Sequence, residues 1–263
     1  MNKRGLINSM KLAFTKSGSE KSEAFYDHYT RKYGNHNRRD ADVIVALGGD
    51  GFILEILHSL NETNSSIPVF GINCGTVGFL LNEVTDEDLY KRIGKATGQC
   101  VSRLSLTAVD KDSEVYTAHA FNDVYVNRIT HQAAKLNIQV NGIERIPSFS
   151  GDGVIVSTEM GSTAYNRSAG GPIIPLGSNL TALTPICGFI PKHWKGALLQ
   201  GSDIVDIKVQ EHEKRPVSVV ADSKEFKNIV EVSITRDINH CSELLFDSHA
   251  SLNEKLLKEQ FYG

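Results

Sequence analysis

The chain has 263 residues, 40% of them hydrophobic and 22% charged, with a formal net charge of -3. That length holds one large domain or two modest ones, and the balance is ordinary for a globular chain. It gives no case for nucleic acid or an anionic membrane as a partner. No run of eighteen apolar residues is present, and Met1 to Lys11 is too polar for a signal-peptide core. The four cysteines, Cys74, Cys100, Cys187 and Cys241, are too scattered for zinc-type spacing. They read as lone, buried structural thiols in a reducing cytoplasm.

Lys11–Thr15 reads as a first strand, and Glu23–Tyr33 as a helix that stops at Gly34. Val43–Leu47 is a β-branched apolar run that breaks at Gly48, Gly49, Asp50 and Gly51. Phe52, Ile53, Ile56 and Leu57 then recur at helical spacing. A strand, a glycine turn and a helix start place backbone N–H groups where a phosphate can bind. Asp50 would repel that phosphate unless it holds a hydroxyl or a metal, or only caps the helix. These two readings are evenly matched on this stretch alone.

Pro68–Asn73 is the next strand, ending in the glycine-rich turn from Cys74 to Leu80, and a helix near Asp86–Ile93 should be capped by Thr85 or Asp86. Strand–helix alternation to about residue 98 predicts a parallel α/β sheet, which binds ligands at the carboxyl ends of its strands. From Val101 to about Ile234 the period changes to strand alternation, with Asn141-Gly142 as a hairpin turn. The expected organisation is an α/β domain over 1–99, completed by 240–263, and a β-rich domain over 100–239. A capping box at Ser251 starts a last helix, with Leu252, Leu256, Leu257 and Phe261 on one face, which should return to the first domain.

No Gly-x4-Gly-Lys-Ser/Thr segment and no Gly-x-Gly-x-x-Gly after a strand occurs, so a P-loop enzyme and an ordinary dehydrogenase both lose ground. The second informative segment is Gly151-Asp152-Gly153 running into Gly161-Ser162-Thr163-Ala164-Tyr165-Asn166. Its hydroxyls can hydrogen-bond a ligand, its small residues admit a flat base, and Tyr165 adds an aromatic face. Taken alone, that segment is read first as a helix N-cap at Ser162 or Thr163 followed by a glycine-rich loop.

Four segments occur in order: Gly48-Gly49-Asp50-Gly51, Gly75-Thr76-Val77-Gly78-Phe79, Asn122-Asp123-Val124 and Gly161–Asn166. This series resembles the NAD kinase family over nearly the whole chain, including Leu183–Cys187 and Leu244–Asp247. The resemblance implies a phosphofructokinase-like α/β domain, a β-rich nucleotide domain and a homo-oligomer, dimer or tetramer. It implies transfer of a phosphoryl group from ATP, or polyphosphate, to the 2′-hydroxyl of the adenosine ribose of NAD, assisted by Mg2+. Asp50 matches the essential aspartate, flanked by Gly48, Gly49 and Gly51. Asn122 and Asp123 match the pair at the adenosine, and Thr163, Ala164 and Tyr165 match the adenine pocket, with Phe79 beside it. Asp152 and Asp222 match positions toward the nicotinamide half or a neighbouring subunit, and Cys187 is counted with them as nucleotide-facing. No metal ligand can be picked out.

An aspartate of pKa near ~3.9 cannot deprotonate a ribose hydroxyl in the ground state, but it can orient it and take its proton as the new bond forms. Asp123 is the alternative base. Departures from the family pattern are Phe52, Ser150, Glu159-Met160, Gly188-Phe189 and Ser223, mainly around the expected pocket. They predict a differently tuned NAD site. A diacylglycerol- or sphingosine-type lipid kinase would share the first motif and much of the fold without needing Gly161–Asn166, and a non-catalytic NAD sensor would keep the pocket without turnover.

Overall fold

The computed structural model describes residues 10–75 and 78–248, with residues 255, 257 and 261 of the tail. The chain divides into two compact units, residues 1–101 with 241–263, and residues 102–240.

The first unit alternates strand and helix: β1 (Leu12–Lys16), α1 (Glu20–Tyr33), β2 (Val43–Gly48), α2 (Asp50–Glu62), β3 (Val69–Asn73) and α3 (Leu89–Lys95). β1 and β3 both pair with β2 in parallel. All six residues of β2 are buried, as a central parallel strand covered on both faces requires. The Ser19 side chain caps α1 by accepting the Ser22 N–H, and the Gly34 N–H closes it on the Thr30 carbonyl. Ile53, Ile56, Leu57 and Leu60 form the buried stripe of α2. The third helix corrects the sequence reading. Asp88, not Thr85 or Asp86, accepts the Lys91 N–H, and the helix starts at Leu89.

β4 (Thr97–Asp110) leads into the second unit, which contains β5 (Val115–Ala120), β6 (Asp123–Arg128), β7 (Ala134–Val140), β8 (Ile143–Gly151) and β9 (Gly153–Ser157). After a short helix, α4 (Tyr165–Ser168), come β10 (Leu180–Ile186), β11 (Ala197–Gln200), β12 (Val205–Val209), β13 (Val217–Ala221) and β14 (Lys224–Lys227). β15 (Ile229–Phe246) carries the chain back. One antiparallel sheet runs β11-β10-β9-β6-β13-β14; in the other, β12 joins β15 to β7, and β7 pairs with β8. Apolar side chains of both, among them Val124, Val126, Val154 and Val219 with Leu136, Ile138 and Ile207, form one core. Asn141 and Gly142 both adopt positive φ, the backbone a two-residue hairpin needs.

The end of β15 lies parallel to β3, with Leu244 opposite Val69, inside the first unit. Lys255 in the tail is helical, and its ammonium donates to the carbonyls of Gly78, Phe79 and Leu81. The tail thus returns to the α/β unit. The expected cap at Ser251 and the apolar positions Leu252 and Leu256 lie outside the described residues, while Leu257 and Phe261 are exposed. The cysteines also differ from the reading as lone buried thiols. Cys187 is exposed and only Cys74 is free and buried, whereas Cys100 and Cys241 form a disulfide because β4 and β15 pair there.

Candidate active site

In the α/β unit, α2 begins directly after β2. Gly49 is the N-cap and offers no side-chain cap bond. Asp50 is the first helical residue, but its carboxylate does not cap its own helix. Oδ2 accepts the Phe79 N–H at 3.0 Å and Oδ1 the Leu80 N–H at 2.8 Å. Neither of the two readings weighed from the sequence included this. Asp50 pins the end of a second glycine turn, and hence Phe79, beside the helix N-terminus. Each oxygen keeps a lone pair for a further donor. A Cβ on Gly49 or Gly51 would meet nothing within 4 Å, so the turn faces open space. Gly48 differs: the Phe52 ring lies where its Cβ would be, 2.6 Å away. Phe52 therefore packs over the end of β2.

In the β unit the expected residues sort into two groups. Asn122 and Asp123 sit where the chain enters β6. The Asp222 carboxylate, at the far end of the neighbouring strand β13, accepts the N–H groups of Phe121 at 2.7 Å, Asn122 at 3.0 Å and Asp123 at 3.3 Å. Thr158 grips the same turn from the other side. Its hydroxyl donates to the Phe121 carbonyl at 2.6 Å, and its N–H donates to that of Asn122 at 2.9 Å. The Asn122 carbonyl also lies 2.1 Å from where a Gly161 Cβ would stand, so only glycine fits there. Asp123 is buried, and its carboxyl is pushed up to about 7, first by desolvation and then by the charge of Asp222.

Thr163 is half-buried and Ala164 and Tyr165 are exposed, so these three are available to a ligand. The Tyr165 ring stands edge-on to Tyr125, with centroids 5.1 Å apart. Burial pushes the Tyr165 phenol up, and Cys187, Asp123 and Asp152 act on it in the same direction. The structure thus brings Tyr165, Asp123, Asp152 and Cys187 into one neighbourhood. Asp152 is already engaged by Arg128, whose Nε donates to it at 2.6 Å. Tyr125 joins this group, and sequence reading passed over it because an aromatic in a strand looks like core.

The hydroxyls and amide at the two ends of the segment turn inward instead. Ser162 donates to the Glu159 carbonyl and accepts the Ile174 N–H. Asn166 is fully buried, bonding the Ser162 and Pro172 carbonyls and the Thr184 hydroxyl. Glu159 and Met160, expected on the pocket, are 4% and 3% exposed. The Arg236 guanidinium holds Glu159 by two bonds, at 3.0 and 2.7 Å, and the Asn179 N–H adds a third. Glu159 thus anchors the loop, which reassigns this departure from ligand contact to packing. Only Arg236, 77 positions away in sequence, would have revealed it.

Among the described residues no group of three or more His, Cys, Asp or Glu side chains is placed to hold a metal ion. The donor set does not fit a resident metal cage.

Comparison with known proteins matches residues 2–96 to the ATP-NAD kinase N-terminal domain and residues 121–236 to the ATP-NAD kinase C-terminal domain. An NAD kinase of Rhizobium meliloti is 42% identical over 95% of this chain and 96% of its own length. One of Rickettsia canadensis is 40% identical over 98% of this chain and all of its own. Among solved structures, yeast NADH kinase complexed with NADH superposes with a TM-score of 0.76 at 21% identity, covering 97% of this chain and 88% of its own. An NAD kinase from Archaeoglobus fulgidus in complex with ATP superposes with a TM-score of 0.74 at 25% identity, covering 95% and 98%.

Proposed function

This chain belongs to the NAD kinase family, and we propose that it transfers a phosphoryl group from ATP, or polyphosphate, to the 2′-hydroxyl of the adenosine ribose of NAD, making NADP. The observation that carries the reading is Asp50: a carboxylate fixed by two distant amides at a helix N-terminus, between glycines that face open space. Phosphoryl transfer needs chiefly positioning and charge stabilisation. Asp50 orients the ribose hydroxyl and takes its proton as the P–O bond forms. The amides of Gly49 and Gly51 receive phosphate oxygens, and their dipoles offset the nearby carboxylate. Phe79 is carried into place by the bond from its own N–H to Asp50.

Asn122 and Asp123 contact the adenosine, Thr163, Ala164 and Tyr165 line the adenine pocket, and Cys187 and Asp152 lie beside it. Magnesium, or another divalent cation, comes as the counter-ion of the donor phosphates. The enzyme works in the cytoplasm; among the described residues no helix is long and apolar enough to cross a membrane. A homo-oligomer, dimer or tetramer, is part of the same proposal. Exposed Phe189, Ile190 and Leu198 in the β unit support it.

The test is NADP formation from NAD with ATP and magnesium, with polyphosphate as the alternative donor. NADP above the no-enzyme control is the expected result. Bound NAD without NADP would replace this reading by a sensor, and phosphorylated lipid in place of NADP would replace it by a lipid kinase.

A further inference from the structure

Asp222 was expected to face the nucleotide, and its geometry points elsewhere. It sits just past the end of β13 with φ +50°, a backbone that presents its side chain across the sheet toward the start of β6. There it accepts three consecutive amides, two on Oδ1 and one on Oδ2. An ionised carboxylate has about four acceptor positions, so most are consumed by backbone. Its own N–H donates to the Asp123 carbonyl at 3.1 Å, closing a ring between the two chain segments.

We propose that Asp222 is a positioning residue for the reaction: it fixes the Phe121–Asp123 turn that presents Asn122 and Asp123 to NAD, and does not itself touch the nucleotide. This rests on the NAD kinase reading for what the turn presents, but not for the geometry. Three consecutive amides pointing at one side need acceptors, because buried unpaired N–H groups are costly, and the Asp222 carboxylate supplies them. Thr158 and Gly161 hold the carbonyl side of the same turn, so both faces of its backbone are spoken for. What the turn can still offer a ligand is the half-buried Asn122 side chain and the buried Asp123 carboxyl.

The arrangement has a second consequence. Asp123 faces Asp222 from across the sheet, Tyr125 from its own strand and Tyr165 from α4, with Lys224 following Asp222 into β14. Burial first, and then the Asp222 charge beside it, push the Asp123 carboxyl up to about 7. Ionised Asp123, the stronger acceptor for a hydrogen bond from the adenosine, therefore grows in population as the pH rises through that value.

Asp222→Asn tests this, because it removes the charge while leaving an oxygen acceptor. The dependence of kcat/KM for NAD on pH is measured with the Asp123 carboxyl titration followed by carbon NMR. The acid limb and the Asp123 titration should both move down by about one pH unit. On the plateau kcat/KM should fall about tenfold, mainly through KM, from the loosened turn. A purely structural role would lower thermal stability and leave the limb in place, and that outcome overturns the proposal. A structure of the wild-type chain with NAD supplies a check independent of how the variant folds: any nucleotide atom within hydrogen-bond distance of the Asp222 carboxylate also overturns it. If the wild-type chain makes no NADP, the NAD kinase reading fails, while the NMR titration still decides whether Asp222 governs Asp123.

Discussion

In the α/β unit the Asp50 carboxylate accepts the amides of Phe79 and Leu80, and in the β unit the Asp222 carboxylate accepts those of Phe121, Asn122 and Asp123. Both side chains reach a distant turn and fix its backbone. Their surroundings differ. Asp50 is flanked by Gly49 and Gly51, which have open space where a Cβ would project. Around Asp222 the turn is closed in: a Cβ on Gly161 would strike the Asn122 carbonyl, and Asp123 is buried. Glycine beside Asp50 leaves room for a ligand, and glycine beside Asn122 leaves room for the protein's own backbone. The first unit holds its carboxylate on an open rim, and the second holds its carboxylate in a packed frame.

The largest effect that would break this contrast concerns Asp50. Asp50→Asn should lower kcat by about a thousandfold, in the range for loss of a general base, while NAD binding by titration stays measurable. Near wild-type turnover would reduce Asp50 to a clamp on Phe79 and Leu80, and the two carboxylates would then do the same work. Next is the frame of the β unit. The Arg236 and Glu159 side chains are 9% and 6% exposed, so Arg236→Ala leaves a buried carboxylate without its cation. Chemical denaturation should show about 3–5 kcal/mol lost, the usual cost of breaking a buried pair from one side. The smallest effect gives the sharpest comparison. Gly161→Ala should cost about 1–3 kcal/mol, because a Cβ must displace the Asn122 carbonyl. Gly49→Ala, in open space, should leave the denaturation midpoint unchanged and raise KM for the nucleotides instead. Equal destabilisation by both would erase the distinction between the rim and the frame.

A good part of this was legible in the sequence. The run Val43–Leu47 is short, hydrophobic throughout and β-branched, the pattern of a strand buried on both faces. Asn141-Gly142 named its own hairpin because few residues other than Asn and Gly tolerate the positive φ of such turns. Four short segments in fixed order carried the family resemblance. The Leu89–Lys95 helix was misplaced by three residues because Thr85, Asp86 and Asp88 are all good caps, and local preference does not choose among them. Glu159 was read as a ligand-side departure because a buried carboxylate cannot be seen without its partner, and Arg236 is far along the chain.

By itself the sequence determined the periodicities, the turns and the residue types gathered at each motif, since these depend on neighbours a few positions away. The tertiary structure alone decided which way those residues face. Asp50 turned to the amides at 79 and 80, Asp222 to those at 121–123, and Ser162 and Asn166 into the packing of their own loop. For Asp50, Asp222 and Asn166 the donor or acceptor comes from another strand or loop. Strand pairing brings such partners together, and no local pattern encodes which one will be nearest.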